Sequence, residues 1–323
     1  MTETSVDPRL CGIWSATPTP LTDRDDIDED AVSRLVDRHA AHGVTGLFVG
    51  GTCGEGPWLT AAKMDRLLRA VARANGGRML VAAQATDNSA DRIVDNARRA
   101  ADAGADIAIV AQPYFLLNAV PGVLRELYLD AITRSPLPVG FYDRGRHSAI
   151  AVPNEVVDAV AAHPRVVLVK DSTCDPARAE RYLRARRNRP ALRLFNGDEL
   201  ACMRYLELGY DGLLLGGAAL TAPLLSIMLA AWRDGRRDDA AALDARVVAV
   251  LAAAYADGCW LSGLKHALVR LGVMTTSRNL LRYPLSDACR AAIEGALVAE
   301  AAALAPAPAV RAARDAGSGG AAR

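Results

Sequence analysis

One lysine in the chain, Lys170, ends an apolar run over residues 166–169 that is typical of a buried parallel strand. Burial at the end of such a strand disfavours the charged ammonium, because a low-dielectric interior solvates a cation poorly. A neutral amine can attack a carbonyl carbon and form a Schiff base. The alternative is that Lys170 extends to the rim and pairs with Asp171. The lysine alone leaves both interpretations open.

A tyrosine, Tyr142, ends another apolar run in the same way. Its phenol could carry a proton to and from a substrate beside the lysine. The alternative is structural, since tyrosines at strand ends often pack half-buried with the hydroxyl bonded at the rim. The proton-carrier hypothesis therefore requires that Tyr142 and Lys170 meet in space.

A glycine-rich segment, residues 50–56 with the sequence GGTCGEG, follows a third apolar run. Successive backbone N–H groups in such a loop can form a concave site for an anion. The segment lacks the GK[ST] ending of a phosphate loop and the GxGxxG spacing of a dinucleotide site, so a carboxylate is the favoured ligand. A tight turn that needs glycine for its backbone angles would explain the same residues.

These residues belong to a regular series of strand and helix patterns. Eight short β-rich runs are the strand candidates, at 12–17, 45–50, 79–83, 106–110, 137–142, 166–170, 192–196 and 212–215. Each is followed by helical periodicity, which predicts a closed (β/α)8 TIM barrel rather than a doubly wound open sheet with fewer strands. In such a barrel the C-terminal strand ends and the loops after them form the active site. The lysine, the tyrosine and the glycine-rich loop are therefore predicted to converge.

Capping residues predict where two of the helices begin. Ser89 is predicted to cap a helix over residues 90–103 that ends before Gly104. Asp198 and Glu199 are predicted to open another helix, because acidic residues favour the first turn.

The pattern changes after the eighth strand, because residues 220–303 carry helical periodicity only. Apolar segments at 224–232, 240–255, 260–271 and 289–303 predict the last barrel helix and a C-terminal helical appendage. The predicted organisation is a flexible N-terminus (1–9), a barrel core (10–219), this helical region (220–303) and a disordered tail (304–323).

The composition narrows the classes of function. The 323 residues include 38 Lys+Arg and 37 Asp+Glu, a balance that gives no support for nucleic-acid or anionic-membrane binding. No apolar run reaches the ~18 residues of a membrane span. The first seven residues are polar and acidic, unlike a secretory signal. These features predict a cytoplasmic protein.

The cysteines and histidines do not have metal-site spacing. Six cysteines occur without a CxxC pair, which predicts neither a zinc site nor a disulfide framework. Five histidines include no HxxxH, and His39 and His42 end a predicted helix without an acidic ligand beside them. We therefore predict no metal.

Taken together, the motifs resemble the Schiff-base lyase superfamily of dihydrodipicolinate synthase and N-acetylneuraminate lyase. The resemblance covers roughly residues 10–300, and Tyr142 and Lys170 have the family spacing without a gap. The matching segments are Thr17-Pro18, Gly51-Thr52-Cys53-Gly54-Glu55, Ala103-Gly104-Ala105-Asp106, Pro113-Tyr114, Tyr142, Val169-Lys170-Asp171, Asn196-Gly197-Asp198, Leu264-Lys265-His266-Ala267-Leu268 and Arg282-Tyr283-Pro284-Leu285.

The resemblance implies specific roles. Lys170 would condense with the ketone of pyruvate or another 2-oxo acid, with no cofactor other than this covalent imine. Tyr142 would shuttle protons to and from the carbinolamine and the substrate hydroxyl. Thr52 and the backbone N–H groups of Cys53 and Gly54 would hold the carboxylate of the 2-oxo acid. Members of the family are usually homotetramers or homodimers, so we expect self-association.

Three positions depart from the dihydrodipicolinate synthase pattern. Cys53 replaces a threonine and Phe115 replaces a tyrosine, which removes two hydroxyls from the expected proton relay. His147 aligns with the arginine expected to bind the carboxylate of the second substrate, and Arg146 lies one position earlier. These departures favour a substrate of another kind, such as a 2-oxo-3-deoxy sugar acid.

The specificity pocket is predicted from the loop after Tyr142 and from strands seven and eight. Asp143, Arg144, Arg146 and His147 would line it, unless they form only a solvated rim. Gly197, after strand seven, and Leu215, at the end of strand eight, are also predicted to line this pocket. The low polarity of residues 213–218 leaves room for an apolar or aromatic aldehyde co-substrate.

The leading hypothesis is a lysine Schiff-base lyase, acting as an aldolase or dehydratase on a 2-oxo-3-deoxy sugar acid. The first alternative is 4-hydroxy-tetrahydrodipicolinate synthase, which joins pyruvate and aspartate semialdehyde. An alternative of another class is a non-catalytic 2-oxo acid sensor, although a sensor would not need both Lys170 and Tyr142. A flavin- or phosphate-binding barrel would use the loops after strands seven and eight, where Gly216-Gly217 has no basic partner.

Overall fold

The computed structural model describes residues 7–117, 119–258 and 260–304. Within these residues eight parallel strands pair in chain order and close into a barrel. The strands are β1 (Gly12–Ala16), β2 (Val44–Val49), β3 (Leu80–Gln84), β4 (Ile107–Ala111), β5 (Val139–Asp143), β6 (Val166–Asp171), β7 (Arg193–Asn196) and β8 (Gly212–Leu215). The predicted (β/α)8 barrel is confirmed.

Strands β5 and β6 each extend one residue beyond the predicted end, to Asp143 and Asp171. Strand β5 begins at Val139 rather than at residue 137, and residue 138 is a proline, which has no N–H to donate to a neighbouring strand. The one-residue extension affects the site, because successive side chains of a strand point to opposite faces.

Helices surround the barrel and continue past it. They are α1 (Glu29–Ala41), α2 (Ala61–Asn75), α3 (Ala90–Asp102), α4 (Pro121–Arg134), α5 (Asn154–Ala162), α6 (Pro176–Asn188), α7 (Cys202–Glu207), α8 (Ala218–Arg233), α9 (Arg237–Ala254), α10 (Trp260–Arg270), α11 (Asp287–Ala299) and α12 (Ala301–Leu304). The predicted cap of α3 is confirmed, because the Ser89 hydroxyl accepts from Arg92 N at 3.4 Å.

The predicted start of α7 at Asp198 and Glu199 is wrong, because this helix begins at Cys202. The side chain of Asn196 instead folds the preceding residues into a turn, accepting from Asp198 N at 2.7 Å and donating to Asp198 O at 2.8 Å. The Glu199 carboxylate accepts from the backbone of another loop, as described below.

The C-terminal helices form the predicted appendage on the barrel. Helix α8 crosses the predicted boundary at residues 219/220, because it begins at Ala218 and packs on β1. Of the predicted flexible N-terminus only residues 7–9 are described, and there Arg9 O accepts from Trp14 Nε1 at 3.0 Å. The predicted disordered tail lies outside the described residues except for Leu304.

The barrel interior is closed by aromatic side chains. Trp14 of β1 and Phe195 of β7 are fully buried, with ring centroids 5.2 Å apart. Gly46 of β2 leaves the space that Trp14 occupies, since a Cβ there would overlap the indole ring. A cavity for a ligand must therefore open at the C-terminal strand ends. None of the described helices is long and apolar enough to cross a membrane.

Candidate active site

Lys170 and Tyr142 lie side by side at the C-terminal ends of β6 and β5. They are direct register partners in the sheet, and both are buried, with 6% and 7% of their surface exposed. Lys170 Nζ lies 4.3 Å from the centroid of the Tyr142 ring and 5.4 Å from that of Phe48. The phenyl ring of Phe48 contacts the tyrosine edge-on, at a centroid distance of 5.9 Å. The structure thus brings the amine and the candidate proton carrier together.

The rim alternative for Lys170 does not agree with this geometry. Among the described residues no carboxylate lies within ion-pair distance of its amine. Asp171 points to the other face of β6, where its carboxylate accepts from Tyr210 Oη and from Thr173 Oγ1, each at 2.7 Å. Burial raises the pKa of Asp171, and this effect is opposed by the hydrogen bonds from Thr173 and Tyr210.

The loop after β2 contains a tight turn with two free donors. Glu55 N donates to Thr52 O at 3.2 Å, which makes Cys53 and Gly54 the central residues of a β-turn. Neither of these two N–H groups donates to another group of the described chain, so both can bind an anion. The arrangement agrees with the predicted carboxylate site.

The glycines of this loop are also required for packing. A Cβ at Gly54 would lie 2.7 Å from Gly50 N and 2.9 Å from Thr17 O, and a Cβ at Gly56 would overlap Gly50 O. Thr19, in the segment after β1, holds the turn by donating its hydroxyl to Gly54 O at 2.5 Å. The tight-turn and anion-site explanations therefore apply together, because close packing fixes the turn that carries the free donors.

Cys53 contributes its backbone rather than its side chain. The residue is 5% exposed, and the thiol packs 3.2 Å from the position that a Cβ on Gly216 would occupy. Burial raises the thiol pKa well above its usual value, and the nearby Glu199 carboxylate adds to the shift. The thiol therefore stays protonated, and it is a weaker hydrogen-bond donor and acceptor than the threonine hydroxyl that it replaces.

Asp143 does not line the Lys170 pocket, contrary to prediction. As the last residue of β5 it points to the face opposite Tyr142, and it is fully buried. Its carboxylate accepts from Arg178 Nη1 at 2.9 Å, from Tyr182 Oη at 2.7 Å and from Gln112 Nε2 at 3.0 Å. These bonds give Asp143 a structural position behind the strand.

The remaining predicted pocket residues occupy two different environments. Arg144 is half-buried, whereas Arg146 and His147 are exposed on a single 3₁₀ turn, Gly145–His147, which agrees with a solvated rim. Gly197 does adjoin the lysine, because a Cβ there would overlap Ser172 Oγ and lie 3.0 Å from Lys170 Cε. Leu215 is fully buried at the end of β8.

Two residues beside the lysine were missed in the sequence. The Ser172 hydroxyl lies next to Gly197, which also adjoins Lys170 Cε. Phe48 forms an apolar wall against the lysine and the tyrosine. The alternation of side chains along the predicted strand 45–50 could have indicated Phe48, but Ser172 lies in a loop whose path the sequence does not define.

Glu199 occupies the backbone donors at the start of α8. Its carboxylate accepts from Gly216 N at 2.6 Å and from Gly217 N at 3.0 Å, and Tyr255 Oη donates to it at 2.5 Å. A phosphate group would need these N–H groups. The phosphate-binding alternative is therefore not supported, because an internal carboxylate already uses the site.

A fully buried ion pair lies behind the turn at Cys53 and Gly54. The Glu55 carboxylate pairs with Lys265 Nζ of α10, and neither side chain is exposed. Burial lowers the pKa of Lys265, and the adjacent Glu55 carboxylate opposes that shift. Both residues belong to segments that carried the family resemblance, yet their pairing was not predicted.

A cavity of about 710 Å³ lies beside the site rather than over Lys170. It opens between α2 and α3, and Gln84 of β3 and Tyr114 line its inner end. Gln84 Nε2 lies 3.4 Å from Tyr114 Oη. The next residue, Phe115, is 67% exposed. Because the reactive amine is buried with Tyr142, we place the chemistry there.

A closed parallel barrel that buries a lysine beside a tyrosine at its C-terminal end is the arrangement of a class I, Schiff-base lyase. Residues 9–296 match the family described as the dihydrodipicolinate synthetase family. The chain belongs to this family.

Similar proteins span almost the same length. A 4-hydroxy-tetrahydrodipicolinate synthase of Gluconobacter oxydans is 29% identical over 88% of this chain and 95% of its own. One of Kineococcus radiotolerans is 31% identical over 92% of this chain and 94% of its own. The solved dihydrodipicolinate synthase of Bacteroides thetaiotaomicron superposes with a TM-score of 0.83 at 28% identity, covering 92% of this chain and 100% of that chain.

Proposed function

We propose that Lys170 forms a Schiff base with pyruvate and that the resulting enamine attacks an aldehyde. The observation that carries this proposal is the contact between the buried Lys170 amine and the Tyr142 ring. The amine adds to the ketone carbon to give a carbinolamine, which loses water to become an iminium ion. Loss of a C3 proton gives the enamine, which forms a C–C bond with the aldehyde carbon. Hydrolysis of the imine then frees Lys170.

The two sides of the site have different tasks in this reaction. Thr52 and the free N–H groups of Cys53 and Gly54 hold the pyruvate carboxylate, which orients the ketone toward Lys170. Tyr142 donates a proton to the leaving water. Its phenolate then takes up the C3 proton and donates it to the new alkoxide of the aldehyde. No metal or other cofactor has a task in this scheme.

For the aldehyde, we propose aspartate semialdehyde first. After the C–C bond forms, its amino group attacks the imine carbon in place of water, and departure of the Lys170 amine closes the ring of 4-hydroxy-tetrahydrodipicolinate. The names of the Gluconobacter and Kineococcus relatives support this assignment, which reverses the order favoured by the sequence alone. The exposed positions of Arg146 and His147 leave both able to meet an acidic substrate at the rim. Arg146 and His147 therefore remain proposed substrate-binding residues, whereas Asp143 does not.

The second candidate is aldol cleavage or dehydration of a 2-oxo-3-deoxy sugar acid. The Ser172 hydroxyl beside Gly197 and Lys170 favours it, because a polyol chain needs such partners. The absence of a tyrosine hydroxyl at Phe115 and the histidine at His147 also favour a reaction unlike that of the synthase.

We also propose that the chain self-associates. The segment after β4 and the start of α4 expose five large apolar side chains, each at least 41% exposed: Tyr114, Phe115, Leu117, Val120 and Val123. A group of this kind on a soluble chain commonly marks a protein–protein contact. Sedimentation analysis should give a dimer or a tetramer, and a monomer at micromolar concentration would contradict this part of the proposal.

Steady-state assays with matched substrates separate the candidates. The wild-type protein and Lys170→Ala are compared on pyruvate with aspartate semialdehyde and, separately, on several 2-oxo-3-deoxy sugar acids. Condensation that disappears in Lys170→Ala supports the synthase assignment, and pyruvate release from a sugar acid supports the second candidate. Binding of 2-oxo acids without turnover of any of these substrates would favour the sensor.

A further inference from the structure

The turn that carries the two free N–H groups ends at a residue with an unusual backbone conformation. Glu55 has φ of 57° in the left-handed region, where non-glycine residues are uncommon. Such a conformation persists only where the surroundings fix it strongly. Glu55 N also closes the turn by donating to Thr52 O. The position of Glu55 therefore sets the direction of the Cys53 and Gly54 N–H groups.

The groups that fix Glu55 come from the C-terminal appendage. Lys265 Nζ pairs with Oε1, and Leu280 N donates to Oε2 at 2.6 Å. Lys265 also donates to Arg278 O at 2.7 Å, which ties the ammonium to the segment after α10. Both carboxylate oxygens thus bind residues more than 200 positions away in the chain.

The same segment is fixed to the loop after β1. Arg278 Nε donates to Asp25 Oδ1 at 2.6 Å, and Arg282 Nη2 donates to Asp25 Oδ2 at 2.5 Å. Asp25 and Arg282 also have positive φ, of 61° and 56°. Three of the four non-glycine residues with positive φ in the described chain therefore meet around this contact.

We propose that Lys265 is a positioning residue for the carboxylate-binding turn, so that the C-terminal appendage sets the affinity for the 2-oxo acid. Lys265 touches no reacting atom and acts through Glu55. This inference rests on the proposed function only for the identity of the ligand. The ion pair has no access to solvent, so salt screens it much less than an exposed pair.

The test compares Lys265→Met with the double variant Glu55→Gln/Lys265→Met. The single variant leaves Glu55 buried without a cation and is expected to lose stability. The double variant removes both charges and keeps an amide oxygen for Leu280 N, so it is expected to fold better while it still lacks the bond from Lys265. Loss of one oriented, charge-assisted hydrogen bond should raise KM for pyruvate about tenfold in the double variant, with kcat falling less than about threefold.

A second measurement and a control variant make the outcome decisive. Hydrogen exchange in a peptide that covers residues 50–59 should be faster in the double variant than in the wild type. Arg246→Gln, which breaks the exposed ion pair with Glu300 on the same appendage, should change neither exchange nor KM. Unchanged exchange and KM in the double variant, a loss confined to kcat, or an equal effect of Arg246→Gln would each overturn the proposal.

Failure of the proposed function would be recognised separately. If the wild-type protein forms no imine with pyruvate, the proposed function fails, whereas the exchange comparison still decides whether Lys265 holds the turn. Normal imine formation in the wild type with unchanged exchange in the double variant would reject the positioning role alone.

Discussion

Two buried carboxylates, Glu55 and Asp143, lie directly behind the two halves of the site, and their cations come from different parts of the chain. Glu55 supports the binding half, the turn at residues 52–55, and pairs with Lys265, 210 positions later. Asp143 supports the reaction half, Tyr142 with Lys170, and pairs with Arg178, 35 positions later. The reaction half is thus fixed within neighbouring barrel units, whereas the binding half depends on the appendage.

The difference matters because removal of one partner from a buried pair leaves an uncompensated charge. Around Asp143 the Tyr182 hydroxyl, the Gln112 amide and Gly145 N would remain as donors if Arg178 were lost. Around Glu55, after loss of Lys265, the donor that remains among the described residues is Leu280 N. The binding half should therefore be the more sensitive of the two to a change in its cation.

The largest expected effect is a fall in kcat without a change in KM, which would distinguish the reaction half from the binding half. Tyr142→Phe keeps the ring against Lys170 and removes only the hydroxyl, so kcat should fall by ~10²–10⁴, the usual contribution of a general acid–base group. KM for pyruvate should change little, because the carboxylate is held by the other half. Steady-state kinetics measure both values. A raised KM with unchanged kcat would show that Tyr142 belongs to binding rather than to reaction.

The second-largest effect is expected from loss of Arg178, the cation that pairs with Asp143 behind the reaction half. Arg178→Met removes a partner of the fully buried Asp143 carboxylate and should lower the free energy of unfolding by ~3 kcal/mol, at the lower end of the range because three other donors remain. Urea unfolding measures this loss. In the folded fraction kcat should fall more than KM rises. The comparison would be broken if Arg178→Met raised KM for pyruvate as the double variant Glu55→Gln/Lys265→Met is expected to do.

A third buried group, His39 near the C-terminus of α1, has no carboxylate partner among the described residues and should respond to acid. Burial lowers the His39 pKa from 6.5 to about 4, so the folded state disfavours the protonated ring. The unfolded chain takes up the proton first, and stability that is fully present above pH 6.5 is lost as the pH falls toward 4. Between pH 7 and 4.5 this amounts to ~2–3 kcal/mol.

Urea unfolding of the wild type and His39→Gln at the two pH values measures this contribution, because other titrating groups are common to both proteins. The variant should lose less stability on acidification than the wild type, by ~2–3 kcal/mol. Equal losses in the two proteins would contradict a neutral, buried His39.

The smallest effect is expected from an ion pair of the appendage that solvent reaches. Arg246→Gln breaks the contact with Glu300, in which the arginine side chain is 47% exposed, and should cost ~0.2–1 kcal/mol. Thermal unfolding detects it, and KM for pyruvate should stay the same. A cost as large as that of Lys265→Met would remove the distinction between buried and exposed pairs on the appendage.

The sequence was sufficient for the parts of the molecule that depend on local patterns. Eight apolar runs with helices between them predict the barrel because each βα unit is recognisable within about 30 residues. Lys170 and Tyr142 follow from the same logic, since the C-terminal ends of adjacent parallel strands meet at one edge.

The errors arise where one residue or one long-range contact decides the outcome. Asp143 was placed in the pocket because β5 was predicted to end at Tyr142, and one more strand residue turns the side chain to the other face. Glu199 was assigned to a helix start, but it binds the Gly216 and Gly217 N–H groups of a distant loop. The pairing of Glu55 with Lys265 has no local signal, because the tertiary fold alone brings them together.

Borohydride reduction in the presence of pyruvate, followed by peptide mapping, tests the central claim most directly. Reduction converts an imine into a stable secondary amine, so the modified residue can be identified by mass. We predict an adduct on Lys170 of the folded protein and no adduct on Lys170→Ala. Modification of another lysine, or no adduct with pyruvate or any other 2-oxo acid, would contradict the assignment of this site.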